Sequence, residues 1–175
     1  IMLTKPLGVG ILTTAEKRGM LRPKDVNLAR DNMIKLNDLG AKLAPLEGVH
    51  AMTDVTGFGL MGHLLEVCEG SQLQASVEFD KIPLLTDLQY YLDQGCVPGG
   101  SGRNFDSYGH KLGSMSADQL NILCDPQTSG GLLVTVAEDK MTQAEDICRA
   151  QGQHCVWIGY LSDPVISQNY YVEVV

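Results

Sequence analysis

The segment from Ala51 to Cys68 constrains the fold of this chain more than any other stretch. It overlaps a short, mostly apolar run from Val49 to Asp54, which predicts a strand. From Leu60 onward the apolar residues recur at helical spacing, which predicts a helix. The residues between these runs, Thr56-Gly57-Phe58-Gly59, break both patterns. The sequence therefore predicts a strand, a tight turn and a helix in direct succession.

Asp54 falls at the carboxyl end of the predicted strand, just before the glycine-flanked start of the helix. Open sheets tend to bind ligands at such a place, because the helix N–H groups attract anions and glycines let a ligand come close. A carboxylate there can hold a hard cation such as Mg²⁺, which in turn bridges phosphate oxygens. The alternative is that Asp54 or Thr56 only caps the helix. The spacing is not that of a P-loop, because no GxxxxGK[ST] pattern is present.

Two further segments combine glycines with polar side chains. Asp125 to Gly131 precedes an apolar strand, and it either presents N–H and O–H donors to a phosphate or forms an Asx-type turn. Gly95 to Gly113 contains six glycines and is predicted to be a long loop, which in a compact domain is usually functional or mobile. Arg103 within it is either a phosphate clamp or a solvated surface side chain.

The remaining sequence alternates between predicted strands and helices, which suggests a parallel α/β sheet. Alternation of apolar and polar residues over 73–79 instead indicates an antiparallel strand with one wetter face. An apolar stripe from Val26 to Leu43 predicts one long helix that begins at Pro23 and ends at Pro45. The other predicted elements are a strand over 7–13, a short helix over 84–94, another after the Ser116-x-x-Gln119 capping box, a strand over 132–137, a helix over 140–151, and strands over 155–161 and 170–175.

The charge balance limits the partners that this chain can bind. Its 175 residues carry 13 basic and 21 acidic side chains, a net charge of −8, with no basic run. No Lys/Arg cluster can replace the counterions of a nucleic acid, so we expect no direct nucleic-acid partner. No stretch approaches the roughly 18 consecutive apolar residues of a membrane span, so we expect no membrane partner.

The five cysteines are odd in number, lie far apart and include neither a CxxC pair nor zinc-site spacing. This pattern is typical of a reduced protein with buried thiols, and we expect a cytoplasmic location. The N-terminus lacks the basic and apolar regions of a signal peptide and opens directly into a predicted strand. We therefore expect residues 1–175 to be a single domain of a longer protein.

Four segments together resemble the selenophosphate synthetase family: TKPLGVGIL, AMTDVTGFGLMGHL, VPGGSGRNF and LCDPQTSGGLL, in this order and at these separations. The resemblance runs from about Leu3 to about Tyr160. Aminoimidazole ribonucleotide synthase, thiamine-phosphate kinase and the hydrogenase maturation dehydratase share the fold and a Thr-Asp or Gly-Gly fragment. The DVTGFGLxGH motif combined with DPQTSGG is more particular to the selenium family.

The resemblance implies an α+β fold, a three-layer α/β/α sandwich with a mixed sheet like the C-terminal domain of aminoimidazole ribonucleotide synthase. It also implies a selenide, water dikinase, which uses selenide, ATP and water to make selenophosphate, AMP and orthophosphate for selenocysteine and selenouridine synthesis. In this family an N-terminal domain supplies the catalytic Cys or selenocysteine, a lysine, most ATP contacts and several metal-binding aspartates. We therefore expect no catalytic residue in the chain itself, and a homodimer for the full-length protein.

The resemblance also assigns site residues. The C-terminal domain of the family contributes one Mg²⁺-binding aspartate within Thr-Asp-Val-Thr-Gly-Phe-Gly, which corresponds to Asp54. Positions expected on the phosphate side of bound ATP are Thr56, Gly57, Gly59, Arg103, Thr128, Ser129 and Gly130. Two other functions stay open: a related ATP enzyme of the cyclo-ligase or thiamine-phosphate kinase type, and a non-catalytic binding module.

Overall fold

A computed structural model describes residues 1–164 and 169–175, and in this part of the chain seven strands and eight α-helices form. The strands are β1 (Met2–Leu3), β2 (Val49–Asp54), β3 (Gln74–Val77), β4 (Leu132–Val136), β5 (Val156–Trp157), β6 (Gly159–Ser162) and β7 (Val172–Val174). The helices are α1 (Val9–Lys17), α2 (Leu28–Met33), α3 (Gly40–Leu43), α4 (Gly59–Ser71), α5 (Gln89–Leu92), α6 (Gly99–Tyr108), α7 (Ala117–Leu123) and α8 (Met141–Ala150).

The strands form two sheets. Four of them pair in the order β2-β4-β1-β5, and every neighbouring pair is antiparallel. The other sheet has the order β6-β3-β7, in which β3 is antiparallel to β6 and parallel to β7. The α+β class is therefore confirmed, and the mixed pairing lies in the smaller sheet. A parallel sheet, which the alternation of elements alone suggests, is not found among the four strands that include β2.

Helices cover both faces of the four-stranded sheet. Successive residues of a strand point to opposite faces, and β1 and β4 follow this rule. Met2, Leu132 and Val134 pack with α3 and α8, whereas Leu3 and Leu133 belong to the larger cluster that includes α1 and α4. Two hydrophobic clusters thus enclose the sheet in three layers, with β2 at one edge.

The predicted strand over 7–13 is wrong, because this run forms helix α1. Gly8 has a φ of 118°, which breaks the extended chain just before the helix begins. Val9, Ile11, Leu12 and Ala15 are buried at helical spacing. The strand of this region lies earlier, at β1.

The predicted long helix over 23–43 is also wrong. A 3₁₀ helix at Pro23–Asp25 is followed by the separate helices α2 and α3. Asn27 has a φ of 72°, which a continuous right-handed helix does not allow. Asp25 is buried and accepts hydrogen bonds from Arg22, Tyr91 and Thr86, so tertiary contacts hold the chain in a different path.

The predicted loop over 95–113 contains a helix, α6, in spite of its glycines. Ser101, Asn104 and Tyr108 are buried at spacings of three and four, so one face of α6 packs on the core. A methyl group on Gly100 would lie 2.5 Å from Cγ of Pro126, which shows how closely α6 approaches the segment after α7. Packing, rather than helix propensity, therefore determines this element.

Several local predictions are confirmed. The capping box of Ser116 and Gln119 forms with both of its hydrogen bonds and begins α7. The alternating run over 73–79 contains β3, which pairs antiparallel with β6. The helices at α5 and α8 and the strands at β4 and β7 lie within their predicted ranges, and the predicted strand over 155–161 is divided into β5 and β6. Residues 165–168 lie outside the described part of the chain.

Candidate functional site

Asp54 is the last residue of β2, and its side chain is exposed at the sheet edge. Its Cα pairs with Leu132 of β4, and the next residue, Val55, donates its N–H to the carbonyl oxygen of Gly131 at 2.8 Å. The chain then turns through Thr56, Gly57 and Phe58 into α4. The predicted strand, turn and helix are confirmed, and they place Asp54 at the mouth of the turn.

The interpretation of Asp54 or Thr56 as a helix cap is wrong. The N-cap position of α4 is Phe58, and no side chain caps the helix there. The carboxylate of Asp54 makes no hydrogen bond or ion pair within residues 1–164 and 169–175. The hydroxyl group of Thr56 is instead 3.0 Å from Nε2 of His63. Asp54 is therefore an exposed carboxylate that no side chain or backbone group of the described chain pairs with.

The turn after β2 closely contacts the segment after α7. Gln127 donates its backbone N–H to the carbonyl oxygen of Thr56 at 3.0 Å. A methyl group on Gly130 would lie 2.2 Å from the carbonyl oxygen of Val55, and one on Gly59 would lie 2.7 Å from the carbonyl carbon of Cys124. Glycine is required at both positions because the two backbones meet there.

Helix α6 joins the same cluster through one side chain. Asn104 donates from Nδ2 to the carbonyl oxygens of Gly57 and Cys124, at 2.9 and 3.0 Å. The three glycine-containing segments predicted from the sequence therefore come together at one edge of the sheet. Arg103 lies on the exposed side of α6, and its guanidinium group folds back toward Gly99.

The segment 125–131 has two different roles along its length. Asp125 and Gln127 are buried, and they accept hydrogen bonds from the N–H groups of Gly10 and Val9 at 3.0 and 3.3 Å. They cap the start of α1 from a distant part of the sequence, since first-turn N–H groups have no partner within a helix. Thr128 and Ser129 are exposed. 

The buried carboxyl group of Asp125 has a strongly shifted pKa. Burial raises it from 3.8 to about 7, because water is excluded from the charged form. The hydrogen bonds from the side chain of Gln127 and from the start of α1 oppose this rise only in part. Asp125 is therefore a structural acid whose charge depends on pH.

Lys5 is a buried cation that the sequence interpretation did not single out. Its Nζ donates to the carbonyl oxygens of Lys35 and Ser129, at 2.7 and 2.9 Å. Burial lowers its pKa, and the nearby charge of Lys35 lowers it further. Asn37 adds a hydrogen bond from Nδ2 to the carbonyl oxygen of Gly130 at 2.9 Å. The side chains of Lys5 and Asn37 thus hold the backbone of 129–130 by hydrogen bonds. In the sequence, the only indication of this role is the position of Lys5 within the TKPLGVGIL segment.

His63 is a second polar residue of this cluster that the sequence does not single out. Its ring is buried on α4, with Nε2 facing Thr56 and Nδ1 at 3.2 Å from Oε2 of Glu66. The spacing of four from Gly59 to His63 and of three to Glu66 places all three on one helix face. That spacing, inside the DVTGFGLxGH motif, was the available signal.

The residues at this edge fit a metal ion only as contributors to a larger ligand set. No group of three His, Cys, Asp or Glu side chains in the described ranges gathers closely enough to hold a metal ion. A free, exposed carboxylate still suits Mg²⁺, which commonly takes one or two carboxylates and completes its shell with water and phosphate oxygens. Asp54 can therefore supply one ligand, with the others coming from elsewhere.

A cavity of about 720 Å³ lies near the opposite end of β2 from Asp54. His50, Thr135, Trp157 and Tyr160 are among the residues that line it. It contains none of the predicted site residues, so cavity size does not identify the site in this chain.

Among residues 1–164 and 169–175, no helix combines the length and apolar character needed to cross a bilayer.

Residues 1–167 match the family of the AIR synthase related protein, C-terminal domain. The chain is 53 % identical over 163 residues to the selenide, water dikinase of Photorhabdus laumondii subsp. laumondii, which covers 93 % of this chain and 47 % of that protein. It is 54 % identical over 175 residues to the selenide, water dikinase of Aeromonas hydrophila subsp. hydrophila, which covers 100 % of this chain and 50 % of that protein. The chain thus spans about half the length of the curated relatives it matches.

Solved structures share the fold at low sequence identity. Thiamine-monophosphate kinase from Stenotrophomonas maltophilia K279a has a TM-score of 0.66 at 18 % identity, over 99 % of this chain and 48 % of the kinase. A hydrogenase maturation protein HypE also has a TM-score of 0.66, at 16 % identity, over 98 % of this chain and 47 % of HypE. The chain therefore belongs to the family of the AIR synthase related protein, C-terminal domain, and its sequence is similar to selenide, water dikinases along its full length.

Proposed function

We propose that this chain is the C-terminal domain of a selenide, water dikinase, which converts selenide, ATP and water into selenophosphate, AMP and orthophosphate. Identity above 50 % to relatives of that name supports this proposal. The observation that carries it is the convergence of three glycine-containing segments around Asp54, whose carboxylate has no partner in the described chain. The product would serve selenocysteine and selenouridine synthesis.

In this proposal Asp54 holds Mg²⁺ together with ligands from the rest of the longer protein. The metal ion would neutralise the phosphate charge of ATP when bound. Asp54 is suited to this because its charge is exposed at the sheet edge and no cation within the described ranges competes for it. The chain supplies a rigid support, because hydrogen bonds from Val55 and Gln127 join the turn to the segment 125–131.

The proposed phosphate side is formed by exposed backbone and hydroxyl groups. A methyl group on Gly57 would meet nothing within 4 Å, so a ligand can approach the backbone there. Thr128 and Ser129 are exposed next to the turn, and Arg103 is exposed on α6. Gly59 and Gly130 act less directly, since each permits the close backbone contact that shapes the edge. Thr56 is considered further below.

We further propose that the longer protein is a cytoplasmic homodimer without direct nucleic-acid or membrane partners. The five cysteines are free, and four of them are buried, as is typical of a reducing compartment. The chain carries 21 acidic and 13 basic side chains, and this net negative charge does not favour the binding of nucleic acid. Dimerisation follows the family resemblance alone.

Selenide-dependent AMP formation by the longer protein tests the proposed function. We expect ATP to be converted to AMP and orthophosphate only when selenide is present. The alternative of a thiamine-phosphate kinase, whose fold is similar, is tested by supplying thiamine monophosphate and following ADP. Phosphorylation of thiamine monophosphate without selenide-dependent AMP formation would contradict the proposal.

A further inference from the structure

Three polar side chains form a short hydrogen-bonded series beside Asp54. The hydroxyl oxygen of Thr56 is 3.0 Å from Nε2 of His63, and Nδ1 of the same ring is 3.2 Å from Oε2 of Glu66. Thr56 lies in the turn two residues after Asp54, whereas His63 and Glu66 lie on α4. Both ring nitrogens of His63 are therefore engaged, each by a different partner.

The surroundings hold the His63 ring in one orientation. The residue is only 7 % exposed, and the ring of Phe58 meets it edge-on with centroids 6.0 Å apart. The side chain of Glu66 is 64 % exposed, so its carboxylate contacts the ring while it stays open to solvent. A buried ring with two fixed partners has little freedom to exchange them.

The chemistry of the partners determines where the protons lie. An ionised carboxylate can only accept a hydrogen bond, so Nδ1 of His63 must carry a proton and donate it to Glu66. In a neutral imidazole the other nitrogen is then an acceptor. The hydroxyl group of Thr56 must donate its single proton to Nε2.

We infer that His63, fixed by Glu66, orients the Thr56 hydroxyl so that it presents only lone pairs to a bound ligand. Such an oxygen accepts a hydrogen bond from metal-bound water or binds a divalent cation, and it cannot donate to a phosphate oxygen. Thr56 therefore belongs to the cation side of the site with Asp54, and His63 is a positioning residue. This inference rests on the proposed function for the identity of the cation.

The protonation pattern can be measured without any catalytic assay. The longer protein is labelled with ¹⁵N-histidine, and the signals of His63 are assigned by their loss in His63→Gln. Long-range ¹H–¹⁵N spectra at neutral pH should show the Nδ1–H tautomer, with an unprotonated Nε2. An Nε2–H tautomer or a doubly protonated ring would make Thr56 a donor and would overturn the inference.

A double-mutant cycle then tests whether His63 acts through Thr56. His63→Leu removes the hydrogen bond that orients the Thr56 hydroxyl group, and it should raise the Mg²⁺ concentration for half-maximal AMP formation about five-fold, the factor that a single hydrogen bond typically contributes. Thr56→Val removes the hydroxyl oxygen itself and should raise that concentration at least as much. The double variant should need no more Mg²⁺ than Thr56→Val alone, because His63 has nothing to orient once the hydroxyl group is gone. The KM for ATP at saturating Mg²⁺ should change less than about two-fold.

Two controls separate positioning from simple stability. His63→Gln retains an oxygen that can accept from Thr56, so it should recover much of the wild-type Mg²⁺ requirement. Leu65→Ala removes a buried apolar side chain of the same helix and no hydrogen bond of Thr56, and it should leave that requirement unchanged. Additive effects of His63→Leu and Thr56→Val on the Mg²⁺ requirement, or an equal increase of that requirement in Leu65→Ala, would overturn the inference. A wild-type protein that makes no AMP from selenide would contradict the proposed function instead, and the tautomer would still be measurable.

Discussion

At the scale of single residues, the position of Asp54 at the end of a strand could be predicted, whereas the contacts of Asp125 and Lys5 could not. Asp54 was identifiable because the strand, turn and helix around it are local in sequence. Asp125 and Lys5 make their key contacts with residues more than 100 positions away, so no pattern within a short window reveals them. Their burial and hydrogen bonds appear only when the sheet brings these segments together.

The glycines of the site divide into those required by packing and those open to a ligand. Gly130→Ala should destabilise the protein by about 1–3 kcal/mol, because the new methyl group would meet the carbonyl oxygen of Val55. Gly57→Ala is the matched control, since its methyl group would enter open space, and it should change stability by no more than about 0.5 kcal/mol. Urea unfolding measures both values. Equal stability of the two variants would contradict the described contact.

The buried acid Asp125 predicts a specific pH dependence. Its pKa is raised to about 7 in the folded protein, so the folded state holds a proton that the unfolded state releases near 3.8. Stability from this group is therefore greatest at low pH and falls as the pH rises from about 4 to about 7, with no further change above.

Asp125→Asn removes this titration while keeping the size of the side chain. Urea unfolding of both proteins from about pH 5 to about pH 8 should show the wild type losing stability relative to the variant as the pH rises. The difference should level off above about pH 7. A constant difference across this range would show that Asp125 does not titrate as described.

At the scale of secondary-structure elements, many local predictions are confirmed, and tertiary packing overrides the local signal in three places: α1, the run over 23–43 and α6. The capping box before α7 and the helical spacing of α4 depend on neighbouring residues, and both predictions are confirmed. The glycines of α6 favour a loop, but its buried face packs against Pro126 and the core. The sequence at the start of α1 predicts a strand, because Asp125 and Gln127, whose side chains cap the helix, lie far away in the sequence.

Helix α6 offers a paired test of the packing that stabilises it. Gly102→Ala adds a methyl group that meets nothing within 4 Å, so it should stabilise the protein by about 0.5–1 kcal/mol through helix propensity. Gly100→Ala has the same propensity gain but would clash with the Pro126 ring, and it should destabilise by about 1–3 kcal/mol. Thermal unfolding should order the proteins Gly102→Ala, wild type, Gly100→Ala. Equal stabilisation by both changes would contradict the close packing of α6 on Pro126.

At the scale of the whole molecule, the proposed function implies that the chain contributes one edge of a site that the rest of a longer protein completes. No described cluster of His, Cys, Asp and Glu can hold a metal ion by itself. The five cysteines are free, and burial raises the pKa of Cys68, Cys124, Cys148 and Cys155, which lowers their reactivity. None of these four thiols is therefore activated as a nucleophile.

Residues 1–175 alone should therefore form no AMP from ATP and selenide. Catalysis requires a nucleophile, a base and preorganised charge in one place. In the proposed site, the chain supplies only part of the preorganised charge. The purified chain, with its folding checked by circular dichroism, is compared with the longer protein in the same assay. Selenide-dependent AMP formation by residues 1–175 would contradict the assignment of a partial site.

The central claim is that Asp54 is a metal ligand in the complete site, and Asp54→Asn in the longer protein tests it most directly. The change removes the negative charge but keeps the size of the side chain, and Asp80→Asn, at another exposed aspartate, controls for the loss of surface charge. Thermal stability and the Mg²⁺ dependence of selenide-dependent AMP formation are measured together. We predict unchanged stability, at least about a ten-fold loss of activity for Asp54→Asn alone, and partial recovery at high Mg²⁺. Near wild-type turnover with an unchanged Mg²⁺ requirement would contradict the account.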